Sequence, residues 1–491
     1  MLILRGIWRE IGLSWPEPDW FLPSPAGTAV PQIRIVHAMI RTQPLPVFRL
    51  ALILVMATLS FRSVVSAQVK ETVLYSFQGG ADGAGPAGSI VMDKKGNIFG
   101  ATSYTNPCVT SLQCGSVYEL SPPQQPGDPW TETTLYDFQG FSHGDGGSPE
   151  GGLVQDAAGN LYGTTAYGGR GPCILLGSAV GCGTVYELVR PQKPGEAWKE
   201  KVLYSFQGNL DGQFPIGDLI FDKRGNLYGA TWFGGGQGTT CDPLYPYCGT
   251  IFELTPPKTT GKNIWTETVL HSFSGVDAGD GGQPNGGLIL DESGAIYGTT
   301  YIGGGSCPHD GGKGCGSVFA LTPGQVGSWK ETVVYRFGGG IDGGDPNGHL
   351  LRDAGGDLYG TTASGGSYNL PAGTIFRVSL SQNGRYTDMY SFDGGLNGGF
   401  PLAGLVLDGR GDLYGTTSSG GVDQGGTVFR IVLVARRFQP IYSFKANPDG
   451  YYPNATVTFD AAGNVYGTTL DGGTGQACQN SGCGTVFQIS P

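Results

Sequence analysis

The chain has 491 residues, 88 of them Gly and 32 Pro, and a formal net charge of −11. So much Gly and Pro can mark a disordered chain, but 23 Tyr, 23 Phe and 8 Trp at regular spacing exclude one. The Gly therefore reads as turn punctuation in an all-β protein, and the acidic body, near −14 once the Arg-rich first 67 residues are set aside, excludes nucleic acid and anionic membrane surfaces as partners.

Residues 1–38 match neither a signal nor the later repeat. They are read as a misassigned start or a disordered stretch, with Met39 as the expected true start. Residues 50–61, LALILVMATLSF, form an apolar run between Arg49 and Arg62. That run is too short to span a bilayer comfortably. It fits the core of a signal peptide over 39–67, with cleavage expected after Val65-Ser66-Ala67. The competing reading is a retained N-terminal membrane anchor. No apolar tail follows the last repeat, so a released periplasmic or extracellular protein is expected.

Residues 68–491 are expected to form one domain of seven repeats. Each opens on a segment of the type Leu-Tyr-Ser-Phe, whose aromatic or His position falls at Tyr75, Tyr136, Tyr204, His271, Tyr335, Tyr390 and Tyr442. Alternation of side chains over this segment is the signature of a strand. A Gly-rich loop with Asp-Gly and then Pro follows, as in LDGQFP at 210–215, and then a short apolar run ending in Asp.

That Asp begins a D-x-x-G turn in every copy, at Asp93, Asp156, Asp222, Asp291, Asp353, Asp408 and Asp460. Asp can accept backbone N–H groups two residues on, and Gly tolerates positive φ, so the motif predicts a hairpin turn. An EF-hand loop would need more oxygen ligands and a distal Glu, which are absent. The LYGTT segment, as at 161–165, and a GTVYEL segment, as at 183–188, complete the repeat.

Four short antiparallel strands repeated seven times predict a seven-bladed β-propeller, because one blade alone would leave a sheet face bare. The phase adds a detail. If the Tyr-Ser-Phe strand is outermost, the last blade, 454–490, lacks its outer strand, and residues 70–77 are expected to supply it and close the ring.

All ten Cys fall in local pairs: Cys108/Cys114, Cys173/Cys182, Cys241/Cys248, Cys307/Cys315 and Cys478/Cys483. The fifth and sixth repeats carry Ala372 and Gly425 where the second Cys would stand, and lack both partners. Joint presence and joint absence point to disulfides, the default in an exported protein. Zinc would need four converging ligands, and the mature chain offers only His143, His271, His309 and His349 beside the thiols.

No nucleophile elbow, zinc-helix motif or phosphate loop is present, so no catalytic residue, metal or cofactor is expected. Two recurring sets remain. The loop acids Asp82, Asp145, Asp211, Asp280, Asp342 and Asp449, with Asn397 in the sixth place, would crowd one face of a propeller. They are candidates for a cation or polar-ligand face, or else simply build the Asp-Gly turn. Trp130, Trp198, Trp265 and Trp329 precede the Tyr-Ser-Phe strand and are expected to pack between blades.

The repeat LYSF-x-GG-x-DG-xx-P…GLVLD-xx-GNLYGTT-xx-GG…GTVFxLTP resembles the bacterial GloVer (Gloeobacter/Verrucomicrobium-type) tandem repeat over about residues 70–491. The first copy departs from it, with Phe99-Gly100-Ala101-Thr102 and no Gly-Gly after. The resemblance implies an exported or surface protein and carries no known activity, so it assigns no functional residues. The Gly pairs also resemble kelch repeats, but the aromatics after them do not follow that pattern. The function expected is that of a monomeric extracellular binding or structural propeller with a glycan, envelope-component or protein ligand. The alternative is a propeller enzyme, a lyase or hydrolase acting on polysaccharide, marked by polar residues that break the repeat at the channel.

Overall fold

The computed structural model describes residues 69–490 apart from 106–113, 176, 194, 237–240, 242–246, 259–263, 276–278, 305–306, 308–313, 326, 369–371, 446 and 479–480. The chain divides into Met1–Ser66 and Ala67–Pro491, and the described residues belong to the second unit. They form seven antiparallel four-stranded blades in a ring, with no α-helix among them. In the second blade the order outward is Val154–Gln155, Leu161–Thr165, Thr184–Val189 and Lys199–Ser205.

The expected closure is present. Lys70–Ser76 pairs antiparallel with Thr485–Ser490, from Lys70↔Ser490 to Ser76↔Thr485, with the register shifting between Val73 and Tyr75. The two ends of the repeat array thus share one sheet, and no end blade is left with a bare face.

The motif residues each have a packing reason. In Leu-Tyr-Gly-Thr-Thr the Gly lies directly across from the aromatic of the next strand, as Gly163 does from Tyr186. A Cβ at Gly163 would stand 2.5 Å from the Tyr186 hydroxyl, and one at Gly229 2.5 Å from Cζ of Phe252. Only Gly lets the ring lie flat over the strand. The last Thr of the motif hydrogen-bonds the hydroxyl at the start of the next strand, Thr165 Oγ1 to Thr184 Oγ1 at 2.8 Å, so a buried polar pair is satisfied inside the blade. The D-x-x-G turn closes as expected. Asp156 Oδ1 accepts the Ala158 and Asn160 N–H groups at 2.9 Å each, and the Gly159 N–H reaches the Asp156 carbonyl at 3.0 Å.

One kind of aromatic pair recurs at every seam. The Phe of each Tyr-Ser-Phe strand meets the aromatic of the next blade: Phe77 with Tyr118, Phe138 with Tyr186, Phe206 with Phe252, Phe273 with Phe319, Phe337 with Phe376, Phe392 with Phe429 and Phe444 with Phe487. Ring centroids lie 5.0 to 5.6 Å apart, mostly edge to face, a geometry that adds about 0.5–1.5 kcal/mol to the burial of each ring. Trp130, Trp198 and Trp329 pack against the same clusters.

Cys173–Cys182, Cys241–Cys248, Cys307–Cys315 and Cys478–Cys483 are disulfides. The pairing of Cys114 with Cys108 falls outside the described residues. The fifth and sixth blades, which have no Cys, differ in a second way. Where five outer strands carry Glu71, Glu132, Glu200, Glu267 and Glu331, these two carry Tyr386 and Phe438. Tyr386 stacks on Tyr335 at 4.9 Å and Phe438 on Tyr390 at 3.9 Å.

Candidate functional site

The loop acids singled out from the sequence are tied into their own loops. Asp82 Oδ2 accepts the Tyr75 hydroxyl at 3.0 Å and the Gln78 N–H at 2.7 Å, and its Oδ1 takes the Gly80 N–H at 3.1 Å. Asp145, Asp211, Asp342 and Asp449 hold Tyr136, Tyr204, Tyr335 and Tyr442 in the same way. In the fourth repeat His271 replaces the Tyr, with its Nε2 3.3 Å from Asp280 Oδ2. Each acid joins the outer strand of one blade to the crossover loop leading into the next.

Glutamates of the neighbouring blade stand beside these acids. Burial, and then the charge of Asp145, pushes Glu200 up to about 8. Burial followed by Asp449 pushes Glu71 up to about 7, and burial followed by Asp211 does the same to Glu267. The carboxyls thus favour their neutral form at the seams.

A different set of residues meets at the axis. Each blade begins with a Pro-x-Gly-x or Pro-x-Ala-x segment. Where the third residue is Gly, the backbone lies so close to the next segment that a Cβ would crowd it. A Cβ at Gly151 would lie 2.7 Å from the Gly217 carbonyl, one at Gly217 3.1 Å from that of Gly286, and one at Gly286 2.7 Å from that of Gly348. The next position varies from blade to blade: Ser89, Gly152, Asp218, Gly287, His349, Gly404 and Thr456. The three glycines make room, because a Cβ at Gly287 or Gly404 would collide with the His349 ring. The four remaining side chains, from the first, third, fifth and seventh blades, converge on it.

His349 Nδ1 lies 3.5 Å from Asp218 Oδ2. Its Nε2 lies 2.6 Å from Thr456 Oγ1 and 3.4 Å from Ser89 Oγ. Thr456 Oγ1 accepts the Gly404 N–H at 3.0 Å, and Asp218 Oδ1 accepts the Gly152 N–H. With that N–H received, the Thr456 hydroxyl is free to donate to Nε2. In the tautomer where it does so, the imidazole proton stands on Nδ1, facing the carboxylate. The result is a hydroxyl–imidazole–carboxylate chain across the axis, with the imidazole 23% and the carboxylate 18% exposed. Among the described residues no group of three or more His, Cys, Asp or Glu could hold a metal ion.

Sequence reasoning missed this cluster. Its one signal was negative, a position that varies inside a segment whose neighbours recur.

Seven regular blades around a polar axial cluster define a tandem-repeat β-propeller. The chain belongs to the Gloeobacter/Verrucomicrobia repeat family, whose model matches residues 61–237 and again 238–487. No curated protein matches it. Among solved structures it is similar to a protein of unknown function from Dyadobacter fermentans, at 14% identity over 86% of this chain and 98% of that one, with a TM-score of 0.40. A glucose dehydrogenase shows 14% identity over 86% and 99%, with a TM-score of 0.42. A candidate 6-phosphogluconolactonase from Bacteroides uniformis shows 12% over 72% and 83%, also at 0.42. Scores of this size carry no argument about this chain's activity.

Proposed function

We propose that the chain is an exported propeller that binds a hydroxyl-rich extracellular ligand, a glycan, at its axis. The observation that carries this reading is the convergence of Ser89, Asp218, His349 and Thr456, the polar side chains that break the repeat, on one partly exposed point. Carboxylate, imidazole and hydroxyl groups suit the donors and acceptors of a sugar. The loop acids suit it less, because one carboxylate oxygen of each already accepts a Tyr hydroxyl or a backbone N–H group.

Export is supported by the disulfides, which persist in oxidising compartments. Among the described residues no helix is long and apolar enough to cross a membrane. The test is a panel of soluble polysaccharide fragments applied to the chain purified without its first 67 residues. Binding to a defined subset is expected; indifference to the whole panel would overturn the glycan reading.

A further inference from the structure

The axial cluster has an order that simple ligand binding does not require. A carboxylate faces one nitrogen of an imidazole and two hydroxyls face the other. That is the arrangement by which a hydroxyl becomes a nucleophile, with the imidazole as base and the carboxylate fixing its tautomer. It is recognised by geometry rather than by chain order, and here it is assembled from four blades that a repeat would otherwise make alike.

We infer that Ser89 is the nucleophile of an acyl-transfer site, with His349 as its base, Asp218 as the positioning residue and Thr456 as a competitor for the same ring nitrogen, acting on a carboxylic ester of a hydroxyl-rich ligand. The inference rests on the axial reading above. Two hydroxyls compete for one lone pair on Nε2. Thr456 is the worse nucleophile, since it is a secondary alcohol, only 9% exposed, with its oxygen already holding the Gly404 N–H. Ser89 is a primary alcohol and is only partly buried. Its 3.4 Å distance to Nε2 is loose, as catalytic hydrogen bonds often are before substrate binds.

In the reaction Ser89 Oγ attacks the ester carbonyl carbon and its proton passes to His349 Nε2. The carbonyl–alkoxy bond breaks, and the leaving alcohol takes the proton from Nε2. Water then attacks the acyl-Ser89 ester, giving its proton to Nε2. The carboxylic acid departs as that proton returns to Ser89 Oγ.

The test is covalent labelling of the folded chain with a fluorophosphonate, read by intact mass and peptide mapping. Attack by Ser89 Oγ on phosphorus expels fluoride and leaves the phosphonyl group on the serine. A single adduct on the Ser89 peptide of the unmodified chain is expected, and this arm needs no variant that might fail to fold. Ser89→Ala and His349→Gln should lower the labelling rate by about 100-fold or more, with melting curves recorded for each. Asp218→Asn should lose most of the labelling and Asp218→Glu regain part of it. Thr456→Val should label several-fold faster, because it removes the competitor for Nε2; a merely structural Thr456 would not give that sign.

Absence of any adduct, or an adduct elsewhere that persists in Ser89→Ala, overturns the inference. Glycan binding without labelling would leave the axial binding reading standing and remove only the acyl transfer. Labelling at Ser89 without glycan binding would do the reverse.

Discussion

Phe77 directly follows the strand that completes the seventh blade, and its ring packs edge-on against Tyr118 of the first, centroids 5.0 Å apart. This pair is the seam of the ring. Hydrogen bonds hold the N-terminal strand to the C-terminal one, and Phe77, fully buried, holds that sheet to the blade that begins the chain. Phe77→Ala is therefore expected to cost about 3–5 kcal/mol, read by denaturant unfolding. Removal of residues 68–78 should abolish cooperative unfolding of the whole ring, and a truncated chain that melts like the full one would show that the ring does not depend on this strand.

Tyr118 and Tyr186 occupy a position filled by Phe in the other five blades. Their hydroxyls are buried without a hydrogen-bond partner. Tyr186→Phe removes a desolvated polar group and keeps the ring against Phe138, so a gain of about 1 kcal/mol is expected. Gly163→Ala, beneath the same ring, should have the opposite effect, a loss of about 1–3 kcal/mol from overpacking. The two variants measured in the same urea titration separate the hydroxyl from the ring.

The seam glutamates make stability depend on pH. Glu71, Glu200 and Glu267 ionise near 4.5 when free and near 7 to 8 in the fold. Between those values the folded chain holds protons that the unfolded chain has released. Their contribution to stability is thus greatest below about pH 4.5, falls as pH rises, and levels off above about pH 8. Glu200→Gln should raise the melting temperature at pH 8 and leave it nearly unchanged at pH 4.5. Asp460 works the other way only in stronger acid. There burial is outweighed by hydrogen bonds from Asn464, Tyr466 and the Ala462 N–H, which hold it below 3.8.

Strands, turns and ring closure were legible in the sequence because each motif residue acts locally and recurs. Asp156 caps its own turn, Gly163 clears a cross-strand ring, and Phe138 fills the next seam. The hydroxyl cluster at the axis was not legible. Ser89 and His349 are 260 residues apart and His349 and Thr456 are 107 apart. They meet only because seven equivalent positions are brought to one axis by a closed ring. The loop acids were legible for the converse reason: they recur at one place in nearly every copy, and the carboxylate accepts the Tyr hydroxyl of the strand just before its own loop.

The most direct test of the axial account is a calorimetric titration of the tightest-binding fragment of the polysaccharide panel, with the unmodified chain, His349→Asn and Ile341→Ser. Ile341 is 73% exposed on the crossover loop beside Asp342, away from the axial contacts. The account predicts that His349→Asn weakens binding at least about tenfold, some 1.4 kcal/mol, and that Ile341→Ser binds as the unmodified chain does. Full affinity in His349→Asn together with lost binding in Ile341→Ser would contradict it and move the ligand to the rim.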